Sequence, residues 1–176
     1  MSLRFLSFLA ICSVFVLDGE VVRAQEKKPP TPDQRLIAAC MKPDTTPAQV
    51  RAILKAGADI NARGKYGNTP LMLAVHFNTN LAVTTELLKA GAEVAVKNKG
   101  GLSTLAVAAT HSTNPELIST LIKKGADVRQ GEGDGIPALN AAAGSNSNPA
   151  VLSVLIKAGA DVNARNLNKR TSLMEA

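Results

Sequence analysis

The chain has 176 residues and a formal net charge of +6, and it contains one tyrosine, no tryptophan and two cysteines. This length suits a single domain. The positive charge favours acidic partners in general, but the scarcity of large aromatic rings argues against a surface on which nucleic-acid bases stack. We therefore expect no nucleic acid among the partners.

The first 24 residues have the layout of a secretory signal peptide. Arg4 supplies a positive start, an apolar run of 13 residues spans 5–17, and the Val-Arg-Ala sequence at 22–24 presents small residues where signal peptidase reads them. A membrane anchor is the alternative, but a bilayer needs about 20 apolar residues. We predict cleavage before Gln25 and export to a periplasm, with secretion beyond the cell as the second choice.

One of the two cysteines lies in the predicted signal peptide and the other in the predicted folded domain. Cys12 lies in a stretch that faintly resembles a bacterial lipoprotein box, although Ile11 is bulky for that role, so a lipid-anchored or uncleaved protein is the rival to a soluble one. After cleavage only Cys40 remains, and the mature chain can form no internal disulfide. The later repeats place alanine where Cys40 stands, which predicts a small buried thiol; a redox-active thiol is the alternative.

Residues 25–32 read QEKKPPTP, and this mixture of charge and proline predicts a disordered, extended linker. Order should begin at its end, because Thr31 followed by Pro32 is a helix-start signal. We therefore expect the folded domain to span 33–176.

One phrase then recurs every 34 residues. Its four copies begin at Lys55, Lys89, Lys123 and Lys157 and read KAGAD, KAGAE, KKGAD and KAGAD. A fixed period in this range is the signature of stacked repeats, none of which can bury its apolar face alone. The predicted units are 33–66, 67–100, 101–134 and 135–168, with a partial unit at 169–176.

Each unit predicts two helices. The first is clearest where Thr69 can cap the open amides and Pro70 fits the first turn. The second begins at Asn or Thr, followed by proline in three copies of four, and its apolar residues fall on one face, as in 117–122. The lysine and glycine of the recurring phrase then end the second helix, since glycine takes the left-handed conformation without steric cost.

These residues resemble the ankyrin repeat, whose first helix opens Gly-x-Thr-Pro-Leu-His and whose second ends Leu-Leu-x-x-Gly-Ala-Asp-Val-Asn. The match is close at 67–72 (GNTPLM) and 87–94 (LLKAGAEV), and closer at 155–163 (LIKAGADVN). The resemblance covers 33–176 and implies an all-α solenoid of helix-turn-helix units linked by hairpin loops. It also implies a domain whose hairpin tips and first helices form a concave surface for a protein partner.

Three departures from the family pattern matter. The repeat has 34 residues instead of about 33, and we place the extra residue in the loop between the helices, as in 76–80. The array stops inside a first helix, so 169–176 is either part of a fragment or a minimal cap, and we expect it to fray. The family's first-helix histidine is replaced, so we expect its side-chain hydrogen bonds to be absent, at Met72, Ala106, Asn140 and Met174.

The sequence carries no recognisable catalytic or metal-binding pattern. His76 and His111 are the only histidines and lack the further ligands that zinc needs, so we interpret them as surface-loop residues. Residues 131–135 (GEGDG) lack the ligand pattern of a calcium loop and predict a flexible hairpin tip. Neither a nucleophile motif nor a phosphate-binding loop occurs. We expect no enzyme activity, no metal and no cofactor.

The best functional candidate is a row of cations at the hairpin tips, which should line up when the repeats stack. An exposed aromatic beside them is a plausible anchor, because aromatic and Arg residues dominate interface energetics. Ordinary solubilising surface is the alternative. Arg165, Lys169 and Arg170 extend the row. We call the selected partner-binding residues the basic stripe: Arg63, Lys65, Tyr66, Lys97, Lys99 and Arg129.

The sequence therefore predicts a non-catalytic scaffold of the cell envelope that binds a protein with an acidic surface. We expect a monomer with no stable membrane insertion once the signal is removed. The second hypothesis is a regulatory or immunity subunit, which would inhibit or protect a partner enzyme.

Overall fold

The computed structural model describes residues 16–17, 20–21, 29–78, 80–131 and 135–175. The predicted cleavage site and residues 25–28 of the predicted linker lie outside the described residues. So does the centre of the predicted flexible tip, 132–134. Two short strands, β1 (Val16–Leu17) and β2 (Glu20–Val21), form an antiparallel pair outside the repeats, with Val16 opposite Val21.

The described repeats are helical, as the ankyrin resemblance implies, and their helices follow the 34-residue period. Four units contain a helix pair each, and a short helix opens a fifth. In chain order the helices are α1 (Pro32–Cys40), α2 (Pro47–Lys55), α3 (Pro70–Phe77), α4 (Leu81–Lys89), α5 (Thr104–His111), α6 (Pro115–Lys123), α7 (Ala138–Ser145), α8 (Pro149–Lys157) and α9 (Ser172–Glu175).

The helix starts are those that the sequence predicts. Thr31 accepts a hydrogen bond from the amide of Gln34, whose side chain accepts from the Thr31 amide in return. Thr46 and Gln49 repeat this capping box at α2. Such caps satisfy amides that have no partner inside the helix, typically contributing about 1 kcal/mol each.

The core lies between two layers of helices. First helices α1, α3, α5, α7 and α9 pack side by side, and second helices α2, α4, α6 and α8 pack against them or against one another. In α3 and α5 six consecutive residues are buried, at 70–75 and 104–109, so these helices are covered on nearly all sides. The small side chains of the first helices allow this close approach.

Cys40 is fully buried, which confirms the prediction of a small core thiol. Burial raises the pKa of this thiol to about 12, because the low-dielectric interior disfavours the thiolate. The thiolate is the reactive form, so Cys40 is inert at neutral pH.

The loops between first and second helices are held by asparagine side chains. The amide nitrogen of Asn78 donates to the carbonyl oxygens of Lys42 (3.0 Å) and Thr45 (3.3 Å) in the preceding repeat. Asn146 does the same two repeats later, donating to Ala109 and Ser112. Each side-chain amide thus fastens one interhelical loop to its neighbour.

The interhelical loops are shorter than predicted. Helix α3 continues through Phe77 and α5 through His111, so His76, Phe77 and His111 belong to last helical turns. The prediction that both histidines lie in surface loops is therefore wrong. The local sequence did not reveal this because His76 and Phe77 are neutral toward helix continuation, whereas packing between first helices extends them.

One expectation about the family's first-helix histidine is also wrong. At that position Asn140 is almost fully buried. Its amide donates to the carbonyl oxygen of Arg170 at 2.9 Å, and its carbonyl oxygen accepts from the Ser172 hydroxyl at 3.1 Å. Asparagine thus supplies side-chain bonds where the sequence predicted none. These bonds attach 169–175 to α7; that this partial unit frays stays a prediction.

Candidate partner-binding surface

Backbone hydrogen bonds hold adjacent hairpin tips together. The Lys99 amide donates to the Tyr66 carbonyl oxygen at 3.0 Å, which joins the first tip to the second. The side-chain amide of Asn98 donates to Asn68 Oδ1 at 2.8 Å across the same junction. Further along the array, the Leu167 amide donates to the Gly135 carbonyl oxygen at 3.2 Å. These bonds fix the relative positions of the side chains that the tips carry.

Arg63 has a structural role that the sequence did not indicate. Its Nη1 donates to the carbonyl oxygens of Gly67 and Lys97, both at 2.9 Å. The first bond closes its own tip, and the second reaches the next tip. Although Arg63 is exposed, a nitrogen of its guanidinium is already used in joining the repeats.

Lys65, Tyr66 and Lys99 are exposed members of the basic stripe that lie together. Tyr66 is 65% exposed, and Lys65 Nζ lies 5.4 Å from the centroid of its ring. This distance allows a cation–π contact of about 0.5–1 kcal/mol at an exposed site. Lys99 is also exposed, and its backbone is bound directly to that of Tyr66. The structure therefore brings these three residues to one junction.

The rest of the basic stripe is less uniform. Lys97 is partly buried, and its carbonyl oxygen receives the Arg63 bond. Arg129 is exposed on the third tip, where its amide donates to Asp127 Oδ1 at 2.9 Å. Near the end of the array, Arg170 Nε lies 3.4 Å from Glu175 Oε1, so its charge is partly neutralised.

A groove of about 270 Å³ runs between the tips and the first helices. Tyr66 and Asn98 form its tip side, and His76 of α3 and His111 of α5 form its helix side. The groove therefore places Tyr66 of the basic stripe beside two imidazole rings.

The two histidines are stacked on each other. The ring centroids of His76 and His111 are 3.7 Å apart with an interplanar angle of 26°, and Phe77 stacks on His76 at 4.0 Å. We call these three residues the ring ladder. Burial lowers the pKa of both histidines, and the charge of His111 lowers that of His76 further. The neutral imidazole is therefore the predominant form of both side chains at pH 7.

The sequence interpretation missed the ring ladder, because the two histidines differ by one position within the repeat. One signal could have revealed it. Beyond residue 32, aromatic and imidazole side chains occur at four positions, which are Tyr66, His76, Phe77 and His111. Since stacking places consecutive repeats side by side, such a concentration predicts a shared surface.

A family model described as ankyrin repeats (3 copies) matches residues 36–131, and a model of the single ankyrin repeat matches residues 134–167. The chain belongs to the ankyrin repeat family. A comparison with curated proteins finds no match. Ankyrin repeats generally mediate protein–protein interaction, and ankyrin repeat proteins are typically non-catalytic scaffolds.

The described surface of this ankyrin array presents groups suited to recognition of a partner. Among its described residues, no three His, Cys, Asp or Glu side chains come together in a way that could hold a metal ion. None of the helices in the described part of the ankyrin chain has the length and apolarity that a bilayer crossing requires. What the surface offers is a set of cations, one exposed tyrosine and the ring ladder.

Proposed function

We propose that this ankyrin domain is an exported, non-catalytic scaffold that binds an acidic segment of a partner protein. The observation that supports the proposal is the junction of the first two tips. There, Lys65, Tyr66 and Lys99 are exposed side by side on a backbone held by hydrogen bonds. A preorganised surface loses little conformational entropy when a partner binds.

Charge supports an acidic partner. The groove beside the junction has no Asp or Glu among the described residues that line it. Cations at the rim of a binding surface raise the association rate of an acidic partner more than they raise its affinity. Salt screens their attraction. The partner should therefore associate faster at low ionic strength.

Export is the second part of the proposal and rests on the signal-like sequence of residues 1–24. Intact-mass measurement of the protein from the cell envelope tests it. We expect a mature chain that begins at Gln25 and lies in the soluble fraction. A membrane-bound product that retains Met1–Ala24 would contradict it.

The binding surface is tested by charge reversal at Lys65 and Lys99. The partner is captured from envelope extract on the immobilised domain, identified and purified, and its association rate is measured at low and high salt. We expect Lys65→Glu with Lys99→Glu to slow association about tenfold at low salt, because steering is lost. Neither side chain is buried, so thermal stability should not change.

The matched control reverses two lysines at the ends of second helices, Lys55→Glu with Lys89→Glu. It changes the net charge equally, and both lysines are exposed in the last helical turn. We expect little effect on association and a small loss of stability, since lysine favours the negative helix end. Normal binding by the tip variant at low salt would show that the basic stripe is only solubilising surface.

A further inference from the structure

The described repeats concentrate their aromatic and imidazole side chains at one place. Tyr66, His76 and His111 line one groove, and Phe77 stacks on His76 from within α3. All four side chains are exposed, although large rings normally gain by burial. Exposed rings gathered from three repeats are more typical of a recognition surface than of a core.

Few ionisable side chains lie beside the ring ladder in the groove. Among the described residues that line the groove, only Tyr66, His76 and His111 can ionise. Helices α3, α5 and α7 contain no other ionisable residue, and the cations of the tips (Lys65, Lys97 and Lys99) stand on the tip side. Helices packed on α3 or α5 carry ionisable residues that do not line the groove: Asp33, Arg35 and Cys40 on α1, Glu86 and Lys89 on α4, and Glu116 and Lys123 on α6.

Two stacked imidazoles 3.7 Å apart cannot both become cations without strong repulsion. An anion beside the pair would offset that repulsion and would receive charge-assisted N–H hydrogen bonds. The partner of the proposed function is acidic, so it supplies carboxylates. Because the groove is lined by no carboxylate of its own among the described residues, the place for this anion is available to the partner.

We propose that the His76–His111 pair is a carboxylate-binding subsite, which takes an Asp or Glu side chain of the partner together with a proton from solvent. This rests on the proposed function, because it assumes that an acidic protein segment occupies the groove. The proton leaves a hydronium ion in the solvent and forms a bond with an imidazole nitrogen, and no other covalent bond changes. The partner is thus held by fixed cations at the tips and by a pH-dependent cation on the helices.

The direction of the pH effect follows from linkage. In the free domain the pKa of each histidine is lowered below its ordinary value of 6.5, mainly by burial. A bound carboxylate raises the pKa of the imidazole beside it. The complex therefore holds more protons than its separated parts, and affinity increases as the pH falls from about 7.5 toward the lowered pKa of the free pair.

The test uses a fluorescently labelled peptide of eight glutamates, with a peptide of eight glutamines as its uncharged control. Binding to the mature domain is measured by anisotropy at pH 7.5 and pH 5.5 in low salt. We expect wild-type affinity for the acidic peptide to exceed that of the His76→Gln, His111→Gln variant by about fivefold at pH 5.5, as one exposed ion pair allows. At pH 7.5 the two proteins should bind alike. Both proteins meet the same peptide at each pH, so the ratio of their affinities is not affected by a change in the peptide's own charge.

Nuclear magnetic resonance gives a second readout that does not depend on affinity. The imidazole C–H signals of His76 and His111 are titrated with acid, with and without the acidic peptide. We expect at least one histidine pKa to rise when the peptide is present and neither to change with the glutamine peptide. Because both side chains are exposed, the glutamine variant should fold, and circular dichroism at both pH values checks this.

The outcomes separate the two proposals. The subsite is overturned if the peptide binds without changing the histidine pKa values and the ratio of wild-type to variant affinity is the same at pH 7.5 and pH 5.5. The basic stripe alone would then explain binding. If Lys65→Glu with Lys99→Glu abolishes binding at pH 7.5 while the histidine variant does not, the proposed function is supported independently. If the acidic peptide binds at neither pH, both proposals fall.

Discussion

The two ends of the first helices are joined to their neighbours by different means. At the tip end backbone hydrogen bonds join neighbouring repeats, as from the Lys99 amide to the Tyr66 carbonyl oxygen. The side chains of Arg63 and Asn98 add to them. At the loop end side chains join neighbouring repeats, through the amide of Asn78 and the stacking of His76 on His111. Tip side chains outside these bonds, such as that of Lys65, are therefore open to substitution, whereas Asn78 at the loop end is constrained by its bonds to the preceding repeat.

The comparison predicts that the tips are sensitive to substitution mainly where a side chain would meet the backbone. Gly131 has φ 102°, and a Cβ there would lie 2.7 Å from the carbonyl carbon and oxygen of Ile136. Gly91 at the end of α4 has a similar φ of 92°, but a Cβ would meet nothing within 4 Å. At both positions a residue other than glycine would have a strained backbone, but only at position 131 would its Cβ also clash with neighbouring atoms.

We expect Gly131→Ala to cost at least about 3 kcal/mol of unfolding free energy, because strain and clash add. Gly91→Ala should cost about 1 kcal/mol, from the left-handed conformation alone. Denaturant unfolding of both variants measures the difference. Equal losses would mean that the tip backbone relaxes freely, and the contrast between the two ends would disappear.

The loop end is tested by Asn78→Ala. The substitution removes two donated hydrogen bonds and leaves the carbonyl oxygens of Lys42 and Thr45 without that partner. We expect a loss of about 2 kcal/mol, the usual penalty for unsatisfied buried groups. Ser112 occupies the same position in the next repeat, but the hydrogen bond recorded for its hydroxyl is the one it accepts from the Asn114 amide.

Ser112→Ala is the matched control for that experiment, and we expect it to cost about 0.5 kcal/mol. Thermal melts of the two variants should therefore separate clearly. If both lose the same amount, the cross-repeat bonds of Asn78 contribute no more than a local turn does.

The smallest effect concerns pH. Burial lowers the pKa of His76 and His111 in the folded domain, so the unfolded chain binds more protons just below its own histidine pKa of 6.5. Their contribution to stability is fully present above pH 6.5 and is lost as the pH falls through the lowered pKa values. Melting temperatures from pH 8 to pH 5 should thus decline slightly more for wild type than for the His76→Gln, His111→Gln variant. Parallel curves would contradict this.

The predictions that succeeded concern features coded over a few neighbouring residues. Thr31 and Thr46 cap their helices because their side chains reach amides three residues away. Gly91 adopts its left-handed conformation because the helix ends there. The fourfold recurrence of these signals identified a stacked all-α array and the positions of its tips, since each repeat contains the residues that begin and end its own helices.

What the sequence determined by itself is therefore the period, the caps, the ankyrin architecture and the candidate cations of the basic stripe. Only the tertiary structure decided what those residues contact. In it Arg63 joins two tips, Asn140 is hydrogen-bonded to Arg170 and Ser172, and His76 is stacked on His111. The reason is that these contacts depend on how one repeat lies against the next, across about 30 residues or more of chain, whereas capping and turn preferences act within a few residues.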